Sequence, residues 1–349
     1  MSQSPKKVLI DLERLKYPFT GLFTFSENLA QALQKIKKDQ EDFTFFVPRT
    51  YASAFGSDID YLIQNPLQKW VFPFTGKFDS WHSTYQGSAY YPRNKSVRII
   101  QTVHDLNFLY EKKGRPDKIK KHLKKIQEGL DRAEVITTIS EFTMKELEQN
   151  LNLGNQTRRV VYNGSKVIEY PGFDSPIYLP QKPFLFSIGT VLPKKNFHVL
   201  PALLEKNDWE LIIAGLNQNP YMEKILEEAS RFGVQNRVKL LGPINEENKY
   251  WYYTHSAAFV FPSLAEGFGL PVVEAMHYGK PIFLSDKTSL PEIGGDLAYY
   301  FHSFDPEDMQ KTLEKGLNEF KPGIDSQKLI ERSRRFTWEK AAEDYLKLY

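Results

Sequence analysis

There is no cysteine among the 349 residues, which excludes disulfides, iron–sulfur clusters and thiolate zinc sites and matches a reducing compartment. A strong charge of either sign is missing too. The 46 basic and 43 acidic side chains leave a formal +3, too little to drive binding to nucleic acid. No apolar run comes near the roughly 20 residues that a spanning helix requires. Met1 to Lys7 is polar and leads straight into a strand-like VLID, which predicts no secretory leader. The expectation is a cytoplasmic protein, at most resting on a membrane surface. What the chain does have is rings: 25 Phe and 19 Tyr suit large apolar cores and surfaces that face carbohydrate. Its length is too great for one compact core and suits two domains.

Short apolar runs alternate with helical patterns through both halves. Val8–Asp11, Phe43–Val47, Val97–Val103 and Val135–Ile139 read as buried strands in the first half. In the second half the strands are Phe184–Ile188, Glu210–Ala214, Val238–Leu241, Ala258–Phe261 and Pro281–Ser285. Amphipathic stretches such as Phe25–Ile36, Tyr221–Phe232 and Pro306–Phe320 fill the gaps. This alternation predicts an α/β protein with two parallel sheets, each covered on both faces. The segment Glu169–Lys182, with Pro171, Gly172, Pro176 and Pro180 and little periodicity, reads as the linker, which divides the chain into residues 1–170 and 171–336. A last helix follows over 337–349, capped by Thr337.

The most informative stretch is FPSLAEGFGLPVVEAMHYGKPIFLSD, Phe261 to Asp286. A strand gives way to a glycine loop, then to a helix opening near Leu270 with Pro271 in its first turn, where a missing N–H costs nothing. Such a turn aims backbone N–H groups at an anion, and Gly267 and Gly269 let a ligand approach the backbone closely. Two carboxylates bracket the turn. Glu274, one turn into the helix, could accept from ribose hydroxyls, and Glu266 from hydroxyls beyond a diphosphate. The plainer alternative is a helix acid that complements the dipole plus a solvated loop acid. A dinucleotide fingerprint fits worse, since Val272 stands where its third glycine belongs. A second loop, SIGTVLPKKNF, follows the first strand of the second half: Gly189 permits a tight turn, and Lys194 and Lys195 come at its end. A lysine at that sheet edge could stabilise a departing diphosphate without a metal; a solvated pair at a helix start is the other reading.

Together these residues resemble the retaining glycosyltransferases of family 4. The resemblance runs through the second half in order: Gly189, Pro193, Lys195 and Asn196, then Ala214-Gly215, Leu240–Gly242, the EGFGLP run with its second glutamate, and Leu290–Ile293. It implies the GT-B fold, two Rossmann-like doubly wound domains facing across a cleft, with the terminal helix crossing back to the first. It also implies that Glu266 contacts the donor sugar, Glu274 the ribose and Lys195 the diphosphate. Gly189, Thr190 and Asn196 would line that loop, and Phe268, Gly269 and Leu270 would offer backbone N–H groups. Some relatives carry an arginine where Thr190 stands, which leaves Lys195 as the main cation.

The first half resembles the family more loosely. Thr20-Gly21-Leu22 is similar to a glycine loop that approaches the donor diphosphate, and Thr102–Leu106 to a strand-end His-Asp motif. Thr138–Ser140 and Val161–Gly164 match further family pieces. His104 is the implied hydrogen-bonding residue near the donor sugar, although His104-Asp105 also reads as a strand-end cap. His82 and Asp105 are the acceptor-side candidates.

The implied activity is metal-independent hexosyl transfer, mannose or glucose type, from a GDP- or UDP-linked sugar to a glycan or lipid-linked acceptor, with retention and no cofactor. A sugar-nucleotide epimerase and a non-catalytic binding module are the alternatives. The basic run Lys112–Lys125 reads either as a solvated helix face or as a surface for peripheral contact with the inner face of an anionic membrane.

Overall fold

A computed structural model describes residues 4–349 except 19, 37–40, 71, 73–74, 93 and 217–219. The chain forms two compact units: Met1–Gly164 with Phe336–Tyr349, and Ser165–Arg335 between them.

Among the described residues the first unit is built on seven strands, β1 (Lys6–Asp11), β2 (Glu41–Val47), β3 (Asp60–Ile63), β4 (Ser80–Ser83), β5 (Arg98–Val103), β6 (Val135–Thr138) and β7 (Thr157–Val160). Every pairing is parallel, in the order β3-β2-β1-β4-β5-β6-β7. The sequence direction reverses between β1 and β4, and at such switch points the loops part and leave a crevice. β1 and β2 carry the continuous apolar runs that a doubly covered strand needs, with Val8, Leu9, Ile10, Phe43, Phe45 and Phe46 fully buried. Among its described residues the second unit has six parallel strands, β8 (Phe184–Ile188), β9 (Glu210–Ala214), β10 (Val238–Gly242), β11 (Ala258–Phe261), β12 (Ile282–Ser285) and β13 (Tyr299–Phe301). Their order is β10-β9-β8-β11-β12-β13, so the switch point falls between β8 and β11.

Four strands go beyond the expected set, each for a physical reason. β3, β7 and β13 lie at sheet edges and are short and incompletely buried; Thr-Arg-Arg-Val in β7 alternates exposed and half-buried residues. β4 is central, yet it reads Ser-Trp-His-Ser and buries its polar residues, which masks it from any hydropathy pattern. The proline-bearing segment 169–182 belongs to the second unit. There Gln181 and Lys182 donate backbone N–H groups to Glu210 Oε1 at 2.6 and 3.1 Å, and Ile177 donates to Asn248 Oδ1 at 2.8 Å.

The helix Trp338–Leu346 completes the first unit. Thr337 caps it by accepting from the Lys340 N–H, as its sequence predicts. Its rings face the helix Gly21–Ile36 and the sheet: Phe25 lies edge-on to Trp338 at 5.6 Å, and Tyr345 O–H meets Thr102 Oγ1 at 3.1 Å. The helix start also abuts the end of the V-x-N-G piece. A β-carbon on Gly164 would fall 2.2 Å from the Trp338 backbone nitrogen and 2.5 Å from the Thr337 carbonyl carbon, where no side chain can fit. Gly164→Ala is therefore expected to lower stability by about 2 kcal/mol or more, since backbone on both sides must shift. Thermal or chemical denaturation measures this, and a parent-like midpoint would sink it.

Candidate functional site

In the second unit, loops from the carboxyl ends of β8, β11 and β12 meet at the switch point. The β8 loop starts at Gly189, whose N–H donates to the Ala214 carbonyl at 2.9 Å. Its neighbour Gly215 has φ +132°, and a β-carbon there would sit 2.0 Å from the Gly189 carbonyl oxygen, so the close approach of the two strand ends requires glycine. After Thr190 the chain makes a short turn over Pro193–Lys195 and passes Asn196 at φ 59°, a left-handed position that asparagine tolerates. Asn196 is buried, and Lys195 nearly so.

The β11 loop brings Glu266 against that turn. Lys195 Nζ lies 2.5 Å from Glu266 Oε1, and the two side chains are only 11% and 12% exposed. The Ser263 hydroxyl donates to the same Oε1 at 2.6 Å. Lys195 also stands over the Phe261 ring, 4.9 Å from its centroid, which adds a cation–π attraction. Backbone bonds lock the two loops, with the Leu264 N–H donating to the Lys194 carbonyl at 2.7 Å.

The β12 loop braces the second loop from behind. Glu266 N–H donates to Thr288 Oγ1 at 3.0 Å, and Thr288 holds φ 54°, a costly conformation for a β-branched residue. The Ser289 hydroxyl lies 3.1 and 2.9 Å from the Glu266 and Phe268 carbonyls, and the Ser285 hydroxyl donates to the Ser263 carbonyl. Gly269, at φ +107°, precedes the helix Leu270–His277, and Pro271 sits in its first turn. Phe268 itself is core, 3% exposed.

One turn into this helix, both oxygens of Glu274 are engaged. Lys249 Nζ lies 3.1 Å from Oε1, and the Tyr253 hydroxyl donates to Oε2 at 2.8 Å. Burial works against the Lys249 charge, but the Glu274 and Glu246 carboxylates outweigh it and hold the ammonium above its ordinary value. Burial, then the Glu274 charge, pushes the Tyr253 phenol well up. Tyr253 is therefore a fixed donor and Lys249 a fixed cation, and together they hold the Glu274 side chain in place. Lys249, Tyr253, Ser263, Thr288 and Ser289 carry no local signal in the sequence, because each acts across a tertiary contact.

In the first unit the carboxyl ends of β1, β4 and β5 gather a second polar cluster. His104, just past β5, directs Nε2 at the Thr84 carbonyl, 2.7 Å away. A carbonyl only accepts, so Nε2 carries the proton and Nδ1 is the acceptor. Burial first, and the Arg14 charge after it, lower the imidazole to about 4 against the pull of that hydrogen bond, so it is neutral at physiological pH. Thr84 in turn donates its hydroxyl to the Asp11 carbonyl. Asp11 ends β1, accepts from the Ser88 hydroxyl at 2.6 Å and from the Glu13 N–H at 3.0 Å, and is pushed up to about 7 by burial. Gly21 opens the first turn of the helix Gly21–Ile36, with open space where a β-carbon would be. Asp105 accepts from the Asn107 N–H at 3.0 Å and shapes a turn.

His82 departs from its acceptor-side expectation. It is fully buried within β4, with Nδ1 2.8 Å from the Tyr349 hydroxyl and Nε2 2.7 Å from Thr102 Oγ1, so both ring nitrogens are spent inside the core. Burial, with the neighbouring His104, lowers it to about 3. Among the described residues no group of three or more His, Asp or Glu side chains converges to hold a metal ion, and no helix is long and apolar enough to cross a membrane.

Comparison with known proteins adds three findings. The family model described as glycosyl transferases group 1 matches residues 176–336. The O-antigen chain mannosyltransferase B of Escherichia coli is 24% identical across 98% of this chain and 99% of its own, and the serotype-specific mannosyltransferase WbdA of Escherichia coli is 29% identical across 71% of this chain. The second match spans only 33% of that relative's length. Among solved structures, sucrose-phosphate synthase from Thermosynechococcus elongatus superposes with a TM-score of 0.77 at 17% identity, covering 99% of this chain and 98% of its own. That likeness establishes the fold.

The three buried titratable groups fix a pH response. From about pH 7.5 to about pH 5 the unfolded chain protonates both histidines at their ordinary 6.5 while the folded chain does not, and each costs about 2 kcal/mol of stability. Asp11 has the opposite sign: the folded chain binds its proton near 7 and the unfolded chain only near 3.8, which adds about 2 kcal/mol over the same interval. Asp11→Asn is thus expected to lose stability more steeply than the parent as pH falls. Denaturant titrations at the two pH values read the difference, and equal slopes would mean that Asp11 does not take up a proton between them.

Proposed function

This chain belongs to the glycosyl transferases group 1, with the GT-B fold, and on that premise we propose that it transfers a mannose-type hexose from a nucleotide-sugar to a growing surface glycan, with retention and without a metal ion. The observation that carries the reading is the Lys195–Glu266 pair at the switch point of the second sheet, beside the N-terminus of the helix that bears Glu274. The mannosyltransferase names of the relatives support the sugar, and the O-antigen name supports the glycan.

In this reading the acceptor hydroxyl attacks the anomeric carbon from the face that the leaving group departs. The bond from that carbon to the diphosphate oxygen breaks, and the hydroxyl proton passes to the departing phosphate. Lys195 and the backbone N–H groups at Gly269–Leu270 stabilise the charge that builds on the diphosphate. Glu266 orients the sugar through its hydroxyls, Glu274 holds the ribose, and Tyr253 and Lys249 fix Glu274 in place. His104, neutral with the proton on Nε2, accepts a hydrogen bond at Nδ1 from a substrate hydroxyl. Orientation supplies the rest of the acceleration.

A transfer assay with GDP- and UDP-linked hexoses, with and without EDTA, tests this, and NMR of the product reads the anomeric configuration. Glu266→Ala is expected to cut transfer by about 100-fold or more in a variant that still unfolds cooperatively, at a melting temperature lowered by the loss of the buried ion pair. A fully active variant, an EDTA-sensitive reaction or an inverted product would each refute the corresponding part.

We also infer contact with an anionic membrane surface. The helix Pro116–Leu130 exposes Lys118, Lys120, Lys121, Lys124 and Lys125, and a lysine near such a surface contributes about 1 kcal/mol. Sedimentation with phosphatidylglycerol vesicles should decline as salt rises; binding that ignores salt would refute the electrostatic contact.

A further inference from the structure

Lys195 and Glu266 are assigned to different parts of one substrate, yet they are bonded to each other. Their contact is 2.5 Å long, both side chains are close to nine-tenths buried, and the Ser263 hydroxyl sits on the same carboxylate oxygen. A diphosphate that draws the ammonium away leaves Glu266 a carboxylate in a nearly dry pocket with one hydroxyl partner. Leaving a buried charge without its counterion is strongly unfavourable. A hexose carried on the diphosphate reverses that loss, since neighbouring sugar hydroxyls donate to the carboxylate as the ammonium leaves. A nucleoside diphosphate brings no such hydroxyls.

We propose that the Lys195–Glu266 pair makes the site discriminate between intact nucleotide-sugar and the nucleoside diphosphate left after transfer, by penalising any ligand that takes Lys195 without replacing it on Glu266. The inference rests on the reading that Lys195 meets the diphosphate and Glu266 the sugar, and it adds a role neither residue has alone. Glu266 acts on the product by competing for the cation that the product needs. The two ligands share the nucleotide and the diphosphate; the product lacks the sugar hydroxyls and carries about one more negative charge on its terminal phosphate, which faces the Glu266 carboxylate unscreened once Lys195 has moved. The consequence is weak product inhibition, because the nucleotide loses part of its hold once the sugar has left.

The test is calorimetric titration of the parent, Glu266→Gln, Lys195→Met and the double variant with the nucleoside diphosphate of the best donor and with that donor itself. Glu266→Gln is expected to bind the diphosphate about tenfold more tightly than the parent, because Lys195 is released, while the preference for donor over diphosphate collapses. In the Lys195→Met background the same Glu266→Gln change should bring no gain. Unchanged or weaker diphosphate binding by Glu266→Gln, in a parent that binds both ligands, overturns the proposal and leaves the site assignment standing. A gain that persists without Lys195 also overturns it, since removal of a negative charge would then suffice. A parent that binds neither ligand overturns the site assignment as well. Melting curves check that each variant folds, and Glu266→Ala, which frees Lys195 in the same way, serves if Glu266→Gln does not.

Discussion

In both units every strand runs the same way, and much of what the site does follows from that constraint. A parallel strand cannot reach its neighbour by a hairpin, so each connection crosses back over the sheet and all the carboxyl ends collect at one edge. In the second unit the loops of β8, β11 and β12 are thereby forced together, although Lys195 and Glu266 lie 71 positions apart in the chain. In the first unit the same rule assembles Asp11, Thr84 and His104 from the ends of β1, β4 and β5. Neither cluster depends on a local motif for its assembly. Topology gathers the side chains, and hydrogen bonds then fix them.

How they are fixed differs between the two clusters. The Glu266 loop is held by hydroxyls: its own Ser263, together with Ser285, Thr288 and Ser289 from the end of β12 and the loop after it, takes up its polar groups. Of these only Ser263 touches the carboxylate itself, and a hydroxyl donor leaves its charge to Lys195 or to a ligand that takes the place of Lys195. Around His104 the partners are largely backbone carbonyls and buried side chains, which fix the proton on one ring nitrogen. One cluster is therefore poised to exchange partners, and the other to present a single unvarying acceptor.

Much of the fold was legible in the sequence because strands covered on both faces must be continuously apolar, as β1, β2, β8, β9, β11 and β12 are. The strands that escaped were those where that rule lapses. β7 and β13 lie at edges with one side open, and β4 fills a central place with Ser80, His82 and Ser83, which find partners in the Tyr349 carbonyl, Thr102 and the Tyr85 carbonyl. His82 shows why a site residue can mislead. A histidine at a strand end looks the same in sequence whether it faces a ligand or a buried tyrosine, and only the packing of Tyr345 and Tyr349 decides. The EGFGLP loop stood out because glycine and proline record backbone demands directly. Lys249 and Tyr253 did not, since nothing near them in the chain reveals that Glu274 is their partner.

The split of the first unit around the second has a consequence for the order in which the chain matures. Phe25, His82 and Thr102 are sealed by Trp338, Tyr345 and Tyr349, which leave the ribosome only after the whole of the second unit. Residues 165–335 form one uninterrupted stretch and can close their own core while residues 336–349 are still being made. Of the two units, the one whose translation starts earlier is thus the one that closes later. For that interval its aromatic face must stay unsealed, which makes nascent chains stalled just short of residue 336 the species most in need of a chaperone.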